Sequence, residues 1–160
     1  MRILDGSDVT LRWIIASLHL IALAIGLGAI YTRARLFRRL DSADQLPGLF
    51  LADNLWGLAA VLWLVTGLLR AFAGLEKGSE YYLGHPLFWA KMGCFLAVVL
   101  LELRPMVTLV RWRLKRRRGD PVDLVPARGL SRISYAEAAI VFVMVFLATA
   151  IARGLLQSAG

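Results

Sequence analysis

The chain has 160 residues, 59% of them apolar, and a mean hydropathy of +0.65, well above the roughly 45–50% apolar content of a soluble domain. The net charge of +8 would suit nucleic acid, but its placement excludes that partner. Most of the excess sits in two short segments, Arg33–Arg39 and Arg111–Arg118, each closing an apolar run, as basic residues do on the cytoplasmic flank of a membrane span.

In chain order, the apolar runs predict spans at about Leu11–Tyr31, Leu49–Phe72, Leu87–Val110 and Tyr135–Leu156. Each has about 20 or more residues, enough to cross a ~30 Å hydrocarbon core at 1.5 Å rise per residue. Transmembrane β-strands would need ~10-residue alternating segments, which are missing. The first run lacks a basic leader and a small-residue cleavage motif, so it is expected to remain as a span. The fold class is therefore all-α: one integral membrane four-helix bundle over residues 1–160.

The loops set the expected orientation. The first carries Arg33, Arg35, Arg38 and Arg39. The third carries Arg111, Arg113, Lys115 to Arg118, Arg128 and Arg132. The second, from Ala73 to Pro86, has Lys77 against Glu76 and Glu80. Loops one and three are expected in the cytoplasm, with both termini on the periplasmic or outer side of an inner (plasma) membrane. Trp13, Tyr81, Tyr82, Trp89 and Trp112 fall near the expected interfaces, as an aromatic belt would. Basic loops also suit anionic headgroups.

The two helical hairpins resemble each other. Arg33-Ala34-Arg35-Leu36 ends the first span and Arg111-Trp112-Arg113-Leu114 the third. Asp41, Asp44 and Pro47 follow in one loop, and Asp120, Asp123 and Pro126 in the other. Asp53 opens the second span and Glu137 the fourth. Thr66 and Arg70 close the second, Thr149 and Arg153 the fourth. This is the pattern of a parallel repeat about the membrane normal. Features shared by both halves read as architecture, which leaves His19, Lys91 and Glu102 as the unshared ionisable groups and the first functional candidates.

An ionisable group inside a bilayer costs about 2.5–3.5 kcal/mol on insertion scales, so it normally faces the bundle and has a partner. His19 lies about eight residues into its span, with the small residues Ala22, Gly26 and Ala29 on its face, where helices approach closely. It suits a haem ligand or a proton carrier; a neutral histidine bonded to a neighbouring group is the structural alternative. Lys91 and Glu102 share a helix face about 16 Å apart, too far to pair. Lys91 can snorkel outward, and Glu102 reaches the inner interface if its span ends at Pro105. Asp53 has Gly57, Ala60, Leu64 and Gly67 along its face. Asp53 and Glu137 lie at the depth of Arg33 and Arg35, which points to inner ion pairs. Asp53, Glu102 and Glu137 are the proton or ion-pair candidates. Arg70, Lys91 and Arg153 would cluster at the outer end if their helices are neighbours, and would there hold the carboxylates of a tetrapyrrole; as interface anchors they would hold nothing. The single cysteine, Cys94, forms no intrachain disulfide, and no Cys/His metal pattern is present. Met144 is a second candidate axial ligand or a packing residue. His85 falls in the outer loop before Pro86.

At these residues the chain resembles HemJ-type protoporphyrinogen IX oxidases. Ser17-Leu18-His19-Leu20-Ile21 looks like that family's first-span histidine motif. Gly28-Ala29-Ile30-Tyr31 with Arg35-Leu36-Phe37 is similar to its span end. Leu87-Phe88-Trp89-Ala90-Lys91-Met92 resembles its Trp-x-x-Lys motif with one residue fewer between Trp and Lys. Tyr135-Ala136-Glu137 resembles the acid opening its last span. Other small four-helix membrane families, copper-resistance CopD-like proteins among them, share such features. The resemblance implies tetrapyrrole handling, with haem b on His19 as the metal site and Lys91 nearby. The family's further histidine late in the third span is replaced here by Leu101-Glu102-Leu103-Arg104.

Three functions follow as expectations. One is a HemJ-like redox or tetrapyrrole-binding protein. A second is a non-catalytic accessory or assembly subunit, docked in a homodimer or larger membrane complex through its small-residue faces and basic loops. A third is a transporter or channel path lined by Asp53, Glu102 and Glu137. No hydrolase, zinc-protease, P-loop or Rossmann motif stands in a suitable context, and the residues do not decide whether the chain is an enzyme.

Overall fold

A computed structural model describes residues 6–73 and 78–156, with side chains from Val9 onward. Glu76 and Lys77 of the second loop, and the extreme termini, lie outside the described residues.

The described residues form helices α1 (Gly6–Arg38), α2 (Leu46–Phe72), the short α3 (Ser79–Leu83), α4 (Pro86–Arg118) and α5 (Ala127–Ala152), with a 3-10 turn at Ala43–Gln45. The four long helices are each apolar and long enough to cross a membrane. Their outward faces are apolar and exposed, as at Leu58, Val61, Leu96 and Phe146, which is what a lipid-facing surface requires.

The helix ends differ from the sequence expectation in one instructive way. The basic stretch Arg111–Arg118 is the last two turns of α4 rather than a loop, and Arg128 and Arg132 lie in the first turns of α5. Lys and Arg are good helix formers, and their charge suits the negative end of a helix dipole. The helix stops at Gly119, whose φ of 76° is left-handed, with Asp120 N–H bonded to the Lys115 carbonyl and Gly119 N–H to that of Arg116. That is a Schellman stop, which a Cβ would strain. Nor does α4 end at Pro105, which sits buried inside it. Helix α5 begins eight residues before Tyr135 and ends at Ala152, short of Leu156.

Helix α1 packs along both α2 and α5, and α4 packs on α5. Helices α2 and α4 do not pack directly along their length; long polar side chains join them instead. Two apolar layers hold the bundle. One, at the end carrying the basic residues, comprises Phe37, Leu40, Leu46, Leu49, Leu109, Trp112, Ala127 and Leu130. The other, nearer mid-bundle, comprises Ala29, Ile30, Trp56, Val98, Ala138 and Val141. Trp112 belongs to the first layer, edge-on to Phe37, and not to an interfacial belt. Trp13 and Trp89 are exposed.

Candidate functional site

Between the two apolar layers each long helix contributes one charged residue, and these four converge. Arg33 of α1 is wholly buried. Its Nη1 donates to Asp53 Oδ1 of α2 (2.8 Å) and to Glu102 Oε1 of α4 (2.8 Å). Its Nη2 donates to Glu102 Oε2 (2.6 Å) and to Glu137 Oε2 of α5 (2.9 Å). Its Nε donates to Ser134 Oγ (3.2 Å). A guanidinium has five N–H donors, so the group is saturated. Its grip on Glu102 is bidentate, the strongest carboxylate geometry.

A second ring of contacts fixes the carboxylates. Trp56 Nε1 donates to Glu102 Oε2 (3.0 Å). Arg113 Nη2 donates to Asp53 Oδ2 (2.7 Å) and to the Phe50 carbonyl (3.3 Å), with its guanidinium 4.9 Å from the Phe50 ring centre. Ser131 Oγ donates to the Ala34 carbonyl (2.8 Å), pinning α5 to α1 one turn from Ser134. Five of the six carboxylate oxygens thus have a donor. The sixth, Glu137 Oε1, is buried and has none. Glu137 and Arg33 have fully buried side chains, while Asp53, Glu102 and Arg113 keep 15%, 22% and 31% exposure.

Three carboxyls face two guanidiniums, so the centre is neutral only with one further positive charge. A metal ion is a poor candidate. A hard cation needs about six oxygen ligands, the guanidiniums already occupy these oxygens, and no metal-holding cluster of His, Cys, Asp or Glu occurs among the described residues. A proton fits, since it needs one oxygen.

The remaining sequence candidates lie elsewhere. His19 is in the α1–α2 seam, about 21 Å from Arg33 along α1. Its Nδ1 is 2.9 Å from Thr66 Oγ1, and its ring stacks on Trp63 at 5.6 Å. Thr66 Oγ1 donates its single proton to the Leu62 carbonyl (2.7 Å), so it accepts from His19 Nδ1–H. A Cβ at Gly67 would stand 3.2 Å from His19 Cε1, so the glycine makes room for the ring. Of the small residues on the expected faces, Gly26 is used inside the bundle against Trp56 and Ala59, whereas Gly57 faces outward with nothing within 4 Å.

Arg70 is on α2, which packs principally on α1, while Lys91 is on α4 and Arg153 is the C-cap of α5, and α4 and α5 are neighbours. Arg35 is exposed and takes no part in the Arg33 centre. Met144 is buried packing on α5. His85 lies in the loop before Pro86, as expected, and there it is buried and caps the N-terminus of α4, its Nδ1 accepting from Leu87 N–H (3.3 Å). The signal for this was Pro86, which favours the first helical position and so makes its predecessor the cap.

The residues of a haem site fit in part. His19 supplies an imidazole, held at Nδ1 by Thr66. The space does not follow: the cavity touching Trp63 holds about 10 Å³, room for a single water. The larger groove, about 460 Å³, is lined by Ala24, Leu27, Gly28, Tyr31, Ala138 and Phe142, away from His19.

The fold and centre define the class: a four-helix membrane protein built around a buried arginine that holds three carboxylates. The model of a family described as predicted membrane protein (DUF2214) matches residues 11–155, and the chain belongs to that family. No curated protein and no solved structure matches it.

Proposed function

We propose that the protein binds and releases one proton within the membrane, at the Arg33 centre. The basic end faces the cytoplasm and both termini face the other side, as the clustering of Arg and Lys at one end supports. The observation that carries the reading is Glu137: buried completely, one oxygen on Arg33, the other without a donor. A buried carboxylate oxygen left bare is costly, and a proton there also balances the charge of the centre. Glu102 is the other member of the exchange, because it meets the same Nη2 of Arg33. Asp53 is held by both arginines, Oδ1 by Arg33 and Oδ2 by Arg113.

Infrared difference spectroscopy of the reconstituted protein tests this. A carbonyl band of a protonated carboxyl is expected, lost in Glu137→Gln, with the fold intact. If wild-type protein shows no such band across the pH range in which it stays folded, the reading is wrong.

A second reading, a haem or tetrapyrrole on His19, is favoured by one observation, the hydrogen bond between His19 Nδ1 and Thr66 Oγ1. Metal-binding histidines are commonly oriented by a partner on their other nitrogen. Such a group would supply electron transfer, and His19 Nε2 would hold it. Purified protein would then show a Soret band that His19→Ala abolishes. A colourless protein that takes up no added haem would end this reading.

A further inference from the structure

The two arginines of the centre are held very differently. Every donor of Arg33 is used and its side chain is sealed. Arg113 engages only through Nη2, its buried Nε has no partner, and nearly a third of its side chain is exposed. It crosses from α4 to α2 at the basic end, where these helices do not pack directly. Arg116 crosses the same seam, its Nη1 donating to the Ala43 carbonyl (2.7 Å). Exposure falls along the series Arg113, Glu102, Asp53, Glu137, from 31% to 22%, 15% and zero. The accessible edges of the centre therefore lie on the α2–α4 seam, and the buried end lies against α5.

The opposite direction is closed. Beyond Trp56, towards the other end of the bundle, lies the one-water cavity between Ala22, Gly26, Ala59, Trp63 and Trp56 itself. A water needs two to four polar partners to settle in such a space, and this wall is almost wholly apolar. Trp63, in this wall, has a buried indole N–H without a partner, and the polar pair His19 and Thr66 is about 21 Å from Arg33 along the helix.

We infer that the Arg33 centre exchanges with water on one side only, through the α2–α4 seam at the basic end, and that Arg113 is the positioning residue that covers this mouth. The inference rests on the proton-binding reading above and says from where that proton comes. When Arg113 swings away, it gives up one carboxylate bond, one carbonyl bond and its place over the Phe50 ring. Asp53 Oδ2 is then open to water, and Glu102 lies next to it across Arg33 Nη1. A site with one mouth loads and unloads from the same compartment, so it acts as a sensor or switch and not as a conduction path.

The test uses the full chain in vesicles sorted by orientation. A membrane-impermeant quaternary-ammonium carbodiimide is applied from either side, and modified carboxyls are located by mass spectrometry. Modification of Asp53 or Glu102 is expected from the basic-end side alone, with Glu137 unmodified. In Arg113→Gln it should rise about tenfold, the scale of one lost charge-assisted hydrogen bond; exposed Arg111→Gln on the same helix should match wild type. Where Arg113→Gln does not fold, Phe50→Leu, which removes only the ring under the guanidinium, should give a smaller rise. Modification from the opposite side, or from both sides equally, overturns the inference. So does labelling by lipid-soluble dicyclohexylcarbodiimide alone, which would place the mouth in the bilayer, or an unchanged rate in the variants. The infrared band is independent of sidedness: a band without one-sided labelling sinks the mouth and leaves the proton, and one-sided labelling without a band does the reverse.

Discussion

The two hairpins, α1–α2 and α4–α5, begin from similar sequences and end in different chemistry. Helices α1 and α4 have the same length, 33 residues, and each carries an Arg-x-Arg-Leu near its basic end. In α1 the first arginine of that pair, Arg33, turns inward and becomes the hub. In α4 the corresponding Arg111 is exposed, and the second, Arg113, reaches across to Asp53. Thr66 of α2 is buried and fixes His19, whereas its counterpart Thr149 in α5 is exposed and donates to its own helix at the Phe146 carbonyl. A shared motif therefore sets where charges stand along the membrane normal, while helix rotation decides which of them become buried.

The sharpest way to break the comparison is to exchange the two arginines' roles. Arg33→Met leaves three carboxyls around an apolar stub, and removing one partner from a buried charge set costs about 3–5 kcal/mol. A large loss of thermal stability in detergent, or of monodisperse protein, is expected; Arg111→Met should stay within about 0.5 kcal/mol of wild type. Equal losses would mean that the hairpins are equivalent after all.

The threonines come next. Thr66→Val removes the acceptor for His19 Nδ1–H and should cost about 1 kcal/mol. It should also change the imidazole nitrogen resonances of His19 from a single tautomer to a mixture. Thr149→Val should leave both stability and the His19 signals unchanged.

The smallest contrast lies within α2. Gly57→Ala enters open space and should stabilise the helix by up to about 1 kcal/mol, read as a raised melting temperature. Gly67→Ala should gain less than that, because its Cβ meets the His19 ring at 3.2 Å and the ring must give way. A larger gain at Gly67 than at Gly57 would show that His19 is not held in the seam.

Much of the architecture was legible in the sequence. Four apolar runs of bilayer length dictate four helices, and the pairing of inner acids with Arg33 follows from their equal depth. Depth, however, is a one-dimensional reading. It could not show that Asp53, Glu102 and Glu137 meet at a single guanidinium, because this depends on how each helix is rotated. The repeat also misled. It sorted Asp53 and Glu137 as shared architecture and Glu102 as an unshared functional group, yet all three sit in one centre. An end of the third span at Pro105 would put Glu102 at the interface; the helix runs on to Arg118, past the expected Val110, and Glu102 lies in the Arg33 centre.

The saturation of Arg33 has a consequence for how the molecule is made. Its last partner, Glu137, lies 104 residues further along the chain, and Glu102 lies 69 residues on. During synthesis α1 enters the bilayer with an arginine whose acceptors are mostly untranslated, so its side chain must stretch to the headgroups until they arrive. Only when α5 is inserted can the guanidinium turn inward with its last two bonds, to Ser134 and Glu137. The centre thus doubles as a completion mark: a chain that stops after α4 leaves the Arg33 guanidinium paired with Asp53 and Glu102 but with two donor bonds, those to Ser134 and Glu137, unmade.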